Sequence, residues 1–428
     1  MLPADVLADV LSRLPPRGLA ASRSVCTAWR DVVIDARRLL RADRLPLTLA
    51  GLFINYDAPE FNFAELFSRR RRPSSPAPAD KPTAISYPAL MDVRDHCNGL
   101  LLCYDGVLNP ATGAWAPLPD CPPPPHPGTE DFRQQMYLAF DPAVSPHRYE
   151  GQFPETACCR RSSAGIGVAA VAVHPECLLV GDGLTGRWEE RSFDRDDGGE
   201  IAGTVAEMRL DERFWMRRRN TVYWRGALYV HCEKDFVMRI SFATNKYHMI
   251  KPPSVVCKYL EFNLGKSEKG VYYALVDDDN RFRVWMLAEP SYGQIEWTLT
   301  HDSGCDLFLT SLKCIPKDHG PWILHEVNSE GDENHAAAPM ITEHKYDEWN
   351  SDDASVLHNE DGGCPYSGYV EMLAFHPYKE IIFLHRSLSR GLAYHLNSSR
   401  LEDLGNLCPN KMRIDDTRMD CALTPRLL

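Results

Sequence analysis

The sequence predicts an α+β chain with two parts, a small helical module at the amino terminus and a large, mainly-β, propeller-like domain. Apolar residues recur at helical spacing in the first 45 residues, and short β-rich segments punctuated by Gly, Pro, Asn and Asp begin after Pro46. From about residue 95 a loose repeat follows. With 428 residues, 44% of them hydrophobic and 25% charged, the chain is globular in composition and long enough for more than one domain.

Apolar residues in the amino-terminal module predict three short helices. The first carries one stripe made of Val6, Leu7, Val10, Leu11 and Leu14. Pro3 suits its first position, and the pair at 15–16 ends it and opens a second helix over 17–24. The third carries a one-sided face made of Cys26, Trp29, Val33, Ala36 and Leu40. Helices this short bury little surface among themselves, so we expect a partner to cover part of their apolar surface.

Five repeat units can be read after residue 95, and each combines an apolar strand, a tight turn, a second strand, a polar turn and an aromatic or aliphatic residue that closes the unit. The units start at His96, Glu176, Val222, Gly270 and Met372. Repeats of about 50 residues built from four short strands are typical of β-propellers. Because the spacing is irregular and some units carry insertions, we expect six or more blades.

These patterns divide the chain into three regions. Residues 1–45 form the helical domain, and residues 46–94 form a connecting segment with a mobile basic and proline-rich loop at 69–82. Residues 95–428 form the propeller-like domain, with an acidic insertion near 325–363.

Charge and cysteine usage exclude several classes of protein. The net charge of -12 argues against a general binder of nucleic acid or of anionic membranes. Neither a signal peptide nor a run of apolar residues long enough to span a membrane is apparent, so a cytoplasmic and/or nuclear protein is expected. The 14 cysteines include no C-x-x-C pair and no zinc-site spacing, which predicts reduced thiols, no metal site and no cofactor.

Several local motifs have simpler interpretations than a ligand site. The G-D-G-L-T-G stretch at 181–186 fits a dinucleotide-binding pattern, but the residues after it carry no helical stripe, so a hairpin turn is predicted. The acidic stretch Asp277–Asp279 is predicted to be a β-turn rather than a calcium loop. The irregularly spaced histidines of the insertion match no metal geometry; they are His325, His335, His344 and His358.

Two basic runs are candidate contact sites. The run at 69–72 could be a nuclear-import signal or a contact for an acidic ligand, although a solvated loop is the simpler interpretation. The run Arg217, Arg218 and Arg219 would suit an acidic or phosphorylated segment if its face of the propeller binds substrate.

The first 33 or so residues, LPADVLADVLSRLPPRGLAASRSVCTAWRDVV, resemble the F-box motif over nearly its full length. The marks of the motif include the Leu-Pro start, the L-P-P turn at 14–16 and Trp29. The stretches HCNGLLLC at 96–103 and NPATG at 109–113 are similar to the F-box-associated, kelch-like region of a large plant family. Ala4 departs from the acidic residue common at its position, and most units lack the diglycine of kelch repeats.

The resemblance implies the substrate-recognition subunit of a Skp–cullin–F-box ubiquitin ligase. Its F-box would dock a Skp-type adaptor and through it a cullin–RING ligase, while the propeller would bind a protein substrate that the sequence does not identify. This chain would perform no catalysis and bind neither nucleic acid nor membrane. The residues expected to bind the adaptor are Leu2, Pro3, Val6, Leu7, Leu11, Leu14, Leu19, Val25, Cys26 and Trp29.

Two alternatives follow from the same sequence. A propeller enzyme or lectin with a helical cap would place acidic or histidine side chains around a pocket at the propeller mouth. An F-box scaffold acting outside degradation would leave the half-life of its bound partner unchanged.

Overall fold

Our computed structural model of the chain describes separate stretches rather than every residue. The described residues are 3–14, 22, 25–26, 29, 32, 49–57, 62–69, 93–103, 106–110, 114–118, 135–140, 169–173, 178–182, 187–191, 193–196, 221–232, 236–253, 261–267, 269–276, 281–289, 295–303, 320–325, 370–386, 389–409 and 418–425.

The described residues form one helix and 25 strands. The helix is α1 (Ala4–Ser12), and the first strands are β1 (Leu49–Asp57) and β2 (Asn62–Arg69). The strands that follow are β3 (Asp95–Cys97), β4 (Leu100–Leu102), β5 (Gly106–Asn109), β6 (Ala114–Pro117), β7 (Gln135–Ala139), β8 (Ala169–Val173), β9 (Leu178–Asp182), β10 (Arg187–Arg191), β11 (Asp194–Arg195), β12 (Thr221–Trp224), β13 (Ala227–Cys232), β14 (Phe236–Ser241) and β15 (Lys246–Ile250). The carboxyl-terminal strands are β16 (Glu261–Lys266), β17 (Val271–Val276), β18 (Phe282–Ala288), β19 (Glu296–Ser303), β20 (Trp322–His325), β21 (Val370–Phe375), β22 (Ile381–Arg386), β23 (Arg390–His395), β24 (Arg400–Asn406) and β25 (Arg418–Pro425).

Five sheets of the described chain are built from consecutive strands, and we call them blades 1 to 5. Blade 1 is β3–β6, blade 2 is β7–β10, blade 3 is β11–β15, blade 4 is β16–β19 and blade 5 is β21–β24. Neighbouring strands within each blade are antiparallel hairpin partners, except that the short β11 pairs in parallel with the outer strand β15. Each of the five repeat units falls within one blade, but the units that start at Glu176 and Gly270 leave out the first strands of blades 2 and 4.

A further sheet combines strands from distant parts of the chain in the order β20, β2, β1, β25, and we call it the composite sheet. Leu52 lies between Phe67 of β2 and Leu423 of β25 in this sheet. The Tyr56 hydroxyl donates a 2.6 Å hydrogen bond to the Leu407 carbonyl oxygen, which ties the composite sheet to the end of blade 5.

The inner strands of these sheets make the described residues a propeller. Around the axis, β25 contacts β3, β3 contacts β7, β7 contacts β12, β12 contacts β16, β16 contacts β21, and β21 contacts β25 again. Adjacent sheets share buried side chains, as where Tyr272 and Phe282 of blade 4 pack with Tyr394 of blade 5. Such contacts remove apolar surface from water, the main stabilising term in folding.

Two sequence predictions about this architecture need correction. Six or more blades were expected, but the described residues form five blades that correspond to sequence repeats. The composite sheet is built from distant strands and does not correspond to a repeat. The segment 46–94, interpreted as a connection, contains β1 and β2. Its basic and proline-rich loop lies outside the described residues beyond Arg69, as does the acidic insertion beyond His325, the last residue of β20.

The amino-terminal module shows one continuous helix where three were predicted. Most of the second and third predicted helices lies outside the described residues, although Ser22, Trp29 and Val32 have helical backbone. No helix within the described stretches is long and apolar enough to cross a membrane.

Candidate functional site

One face of α1 is buried in the core of its own module. Leu7 and Leu11 keep only 5% and 1% of their surface exposed, and together with Ala8 they pack against Val32 and the half-buried Trp29. These contacts hold the helix to the residues that follow it, so Leu7 and Leu11 serve the fold of the module.

The neighbouring face of the module presents apolar side chains to solvent. Val6 and Val10 of α1 are 43% and 51% exposed, and Leu14, just after the helix, is 38% exposed. Because these three residues are four positions apart, they form one line of side chains, which we call the apolar stripe. Val25 lies in the same module and is 60% exposed.

Exposed apolar groups are concentrated in this module. Of the five large apolar side chains exposed among the described residues, four are in the module and the fifth, Leu299, is in β19 of the propeller. Single exposed apolar residues are common on protein surfaces, but a cluster marks a place where another molecule binds. The module therefore has a filled core and a second apolar surface that the described residues do not cover.

The structure separates the residues predicted to bind an adaptor into three groups. Leu7 and Leu11 belong to the module core and the half-buried Trp29 packs against it, whereas Pro3, Val6, Leu14, Val25 and Cys26 are exposed. Leu2 and Leu19 lie outside the described residues. Val10 is exposed too and was missed, because it belongs to the helical stripe of the sequence but is not a mark of the motif.

A second candidate site lies at the propeller axis, where the sequence HCNG forms the turn between β3 and β4. Asn98 and Gly99 have left-handed backbone, with φ of 47° and 90°. The Asn98 amide donates a 2.6 Å hydrogen bond to the Phe140 carbonyl oxygen at the end of β7 and accepts a 2.7 Å bond from Lys266 Nζ. One side chain thus joins blades 1, 2 and 4.

Lys266 brings a positive charge to the axis. Its ammonium group also donates a 3.1 Å hydrogen bond to the Tyr223 carbonyl oxygen of β12, which adds blade 3 to the same network. Burial and the charge of Lys266 lower the pKa of His96 to about 4, so this histidine is neutral at physiological pH. Asp95, on the other side of β3, accepts hydrogen bonds from the Leu138 backbone N–H and the Thr221 hydroxyl.

The Asn98 side chain is expected to stabilise the propeller through this network. Asn98→Ala should lower the free energy of unfolding by about 2–4 kcal/mol, because it removes two hydrogen bonds, one of them to a cation, and forces alanine into left-handed backbone. Asn98→Gly relieves the backbone strain and should lose only the hydrogen-bond part. Urea unfolding of the three proteins measures both contributions, and equal stability of Asn98→Ala and wild type would contradict the assignment.

The remaining motifs have structural roles where they are described. Residues 181 and 182 end β9, which pairs antiparallel with β10 as the hairpin interpretation predicts, and residues 183–186 lie outside the described stretches. The acidic stretch 277–279 lies outside the described stretches, in the connection between the antiparallel strands β17 and β18. His325 is within 2.9 Å of the Ser68 hydroxyl, and burial lowers its pKa. Within the described stretches no three metal-ligating side chains come together. The other three histidines of the insertion and the run at 217–219 lie outside them.

Comparison with known proteins identifies the class of the module. Residues 1–42 match the family model described as F-box-like. The chain therefore joins an F-box-like module to a mainly-β propeller, an arrangement that fits an F-box substrate receptor in general.

Two Arabidopsis thaliana proteins are similar to part of the chain, and they confirm the resemblance to plant F-box proteins. F-box protein At3g07870 is 31% identical over 133 residues, which cover 28% of this chain and 30% of the relative. Probable F-box protein At5g47300 is 30% identical over 124 residues, 26% of this chain and 29% of the relative. The chain thus matches about a third of the length of these relatives.

Two solved structures were also matched. The β-propeller domain of Cps50 (Swd1) from Myceliophteria thermophila is 11% identical, with a TM-score of 0.24, over 54% of this chain and 55% of that one. The N-terminal domain of Nup159 is 10% identical, with a TM-score of 0.26, over 86% of this chain and 88% of that one. At these scores the fold assignment rests on the strand pairing described above.

Proposed function

We propose that this chain is the substrate-recognition subunit of a Skp–cullin–F-box ubiquitin ligase, acting in the cytoplasm and/or nucleus. F-box domains generally bind Skp-type adaptors, and residues 1–42 match that class. The observation that carries the proposal is the apolar stripe: Val6, Val10 and Leu14 remain exposed although the module core beneath them is filled.

Burial of the apolar stripe against an adaptor would supply favourable hydrophobic binding free energy. Full burial of one Val or Leu side chain contributes about 1.5–3 kcal/mol, so three or four of them on an adaptor would offset a substantial part of the cost of association. The Asp9–Arg13 ion pair beside the stripe is exposed, with its atoms 2.8 Å apart, and contributes little to stability. Apolar contact at Val6, Val10 and Leu14 would therefore dominate docking.

In this role the chain performs no covalent chemistry. The adaptor would link the module to a cullin scaffold, whose RING subunit carries the charged ubiquitin-conjugating enzyme. The propeller would hold a protein substrate beside that enzyme and convert a bimolecular attack by a substrate lysine into an effectively intramolecular one.

The proposal predicts that a charge in the stripe abolishes adaptor capture without unfolding the chain. In Val10→Asp, docking would have to bury a carboxylate against apolar surface, which should weaken binding by at least about a hundredfold. Co-purification with a Skp-type adaptor measures capture, and circular dichroism verifies folding.

Leu299→Asp is the matched control, because Leu299 is 48% exposed, similar to Val10, but lies in β19 of the propeller. It should capture the adaptor like wild type. Capture by Val10→Asp at the wild-type level, or failure of the wild-type chain to bind any Skp-type adaptor, would contradict the proposal.

A further inference from the structure

Four hairpin turns meet at one end of the propeller axis, each joining the inner strand of a blade to its second strand. They are Asn98–Gly99 in blade 1, Arg225–Gly226 in blade 3, residues 267–270 in blade 4 and residues 376–380 in blade 5. We call their shared surface the inner-turn surface.

Hydrogen bonds show that these turns are adjacent. Lys266, which precedes the blade 4 turn, reaches both Asn98 and the Tyr223 carbonyl oxygen near the blade 3 turn. The Ser267 hydroxyl donates a 2.6 Å bond to the Lys379 carbonyl oxygen in the blade 5 turn. The surface is therefore continuous across three neighbouring blades and extends to blade 1.

Basic side chains dominate this surface. Lys266 lies at its centre, Lys379 is partly buried in the blade 5 turn, and Arg225 and Lys269 are exposed at the tips of their turns. Neither Arg225 nor Lys269 forms an ion pair with any residue that the structure describes.

The nearby carboxylates cancel only part of this charge, because Glu380 is the one carboxylate described in the four turns and four basic side chains surround it. Glu380 accepts hydrogen bonds of 3.0 and 2.9 Å from the Tyr272 hydroxyl. Glu289, farther from the axis, pairs with Arg239 at 3.0 Å. Glu268 is the other acidic residue in the four turns and lies outside the described residues.

Arg225 is held in a conformation suited to recognition of an anion. Its backbone φ is 46°, and its guanidinium carbon lies 5.3 Å from the centre of the Trp224 ring. Stacking of one face on an aromatic ring leaves the N–H edge of a guanidinium available, and that edge binds carboxylates and phosphates in a bidentate manner.

We propose that the inner-turn surface binds an anionic segment of a protein, rich in carboxylates or phosphorylated side chains, through Arg225 and Lys269 with support from Lys266 and Lys379. The inference rests on the proposed function, since it assigns the class of substrate that the receptor would recruit. A protein segment is favoured over nucleic acid because the chain carries a net charge of -12, which would repel a long phosphate backbone beyond this small surface.

Fluorescence anisotropy of the full chain with short labelled peptides tests the proposal. The probes are an oligoglutamate peptide, a serine-containing peptide with and without phosphorylation, a neutral oligoglutamine peptide and an oligothymidylate. Wild type should bind the oligoglutamate or the phosphorylated peptide and leave the neutral peptides unbound. The double variant R225E/K269E should bind at least about tenfold more weakly, because two charge-assisted contacts become repulsive.

The control double variant is R13E/K251E, which makes the same change in net charge with Arg13 after α1 and Lys251 after β15, both exposed. It should bind like wild type, and R225Q/K269Q provides a second test if charge reversal disturbs folding. Failure of wild type to bind either anionic peptide, or binding by R225E/K269E and R225Q/K269Q equal to wild type, would overturn the proposal. Preferential binding of the oligothymidylate would instead assign the surface to nucleic acid and overturn it too.

The assay contains no adaptor, so its outcome is independent of the ligase proposal. R225E/K269E should still capture a Skp-type adaptor, whereas Val10→Asp should still bind the anionic peptide. Peptide binding retained by R225E/K269E would therefore contradict only the proposal for the inner-turn surface, and adaptor capture retained by Val10→Asp would contradict only the ligase proposal.

Discussion

Removal of residues 418–428 is expected to abolish the cooperative unfolding of the propeller. This deletion takes away β25, the inner strand of the composite sheet, which pairs with β1 from Asp57 back to Leu49. It also removes the strand that contacts both β3 and β21 and so opens the ring. Each lost ladder hydrogen bond contributes about 1 kcal/mol, and the lost burial adds to this, so the total is comparable with the whole stability of a typical domain, about 5–15 kcal/mol.

Thermal unfolding followed by circular dichroism, together with limited proteolysis, measures the effect. Deletion of residues 426–428 alone is the control, because these residues follow β25 and its ladder stays intact. That shorter deletion should unfold like wild type. A single sharp transition at the wild-type temperature in the longer deletion would show that β25 is dispensable for closure.

The second large effect is expected from Leu11→Ala in the amino-terminal module. Leu11 is 1% exposed and packs against Val32, so its truncation should cost about 2–4 kcal/mol, most or all of the stability of so small a module. Hydrogen exchange of residues 3–14 should become fast, and adaptor capture should be lost because the helix that carries the stripe is no longer held in place.

Val10→Ala separates folding from docking in the same helix turn. Val10 is next to Leu11 but exposed, so its truncation should change stability by less than about 0.5 kcal/mol while it weakens capture. Slow exchange in Leu11→Ala, or equal exchange in the two variants, would contradict the assignment of Leu11 to the core.

The local parts of the propeller could be predicted from sequence because each blade forms from neighbouring segments. The tryptophans that close three of the units, Trp115, Trp188 and Trp297, lie in the outermost strands β6, β10 and β19. The composite sheet could not be predicted in this way. Leu52 pairs with Leu423, and a local sequence pattern cannot predict pairing between strands that are so far apart in the chain.

Periodicity alone could not predict which apolar residues of α1 are buried and which are exposed. Leu7 and Leu11 directly follow Val6 and Val10 in the chain. One broad apolar side of the helix therefore contains both the buried and the exposed residues. Helical spacing indicates that these residues share one side of the helix, but it does not indicate which of them pack against the rest of the module. Trp29 shows the same limit, since it is among the residues expected to bind a partner, and in the structure it is half-buried and packs on the module core.

The inner-turn surface was missed for a related reason. Consecutive arginines at 69–72 and 217–219 are conspicuous in the sequence, whereas Arg225 and Lys269 are isolated cations in two different hairpins. Only the arrangement of blades around the axis brings them together.

The composite sheet also has a consequence for biosynthesis. Strand β1 is translated long before its partner β25, because most of the described residues lie between them in the chain. Until then one hydrogen-bonding edge of β1 can pair with any extended chain nearby, and exposed edges of this kind promote aggregation. The nascent polypeptide would therefore need protection until β25 has been translated, and its yield in a cell should depend on chaperone supply more than the stability of the finished ring would suggest.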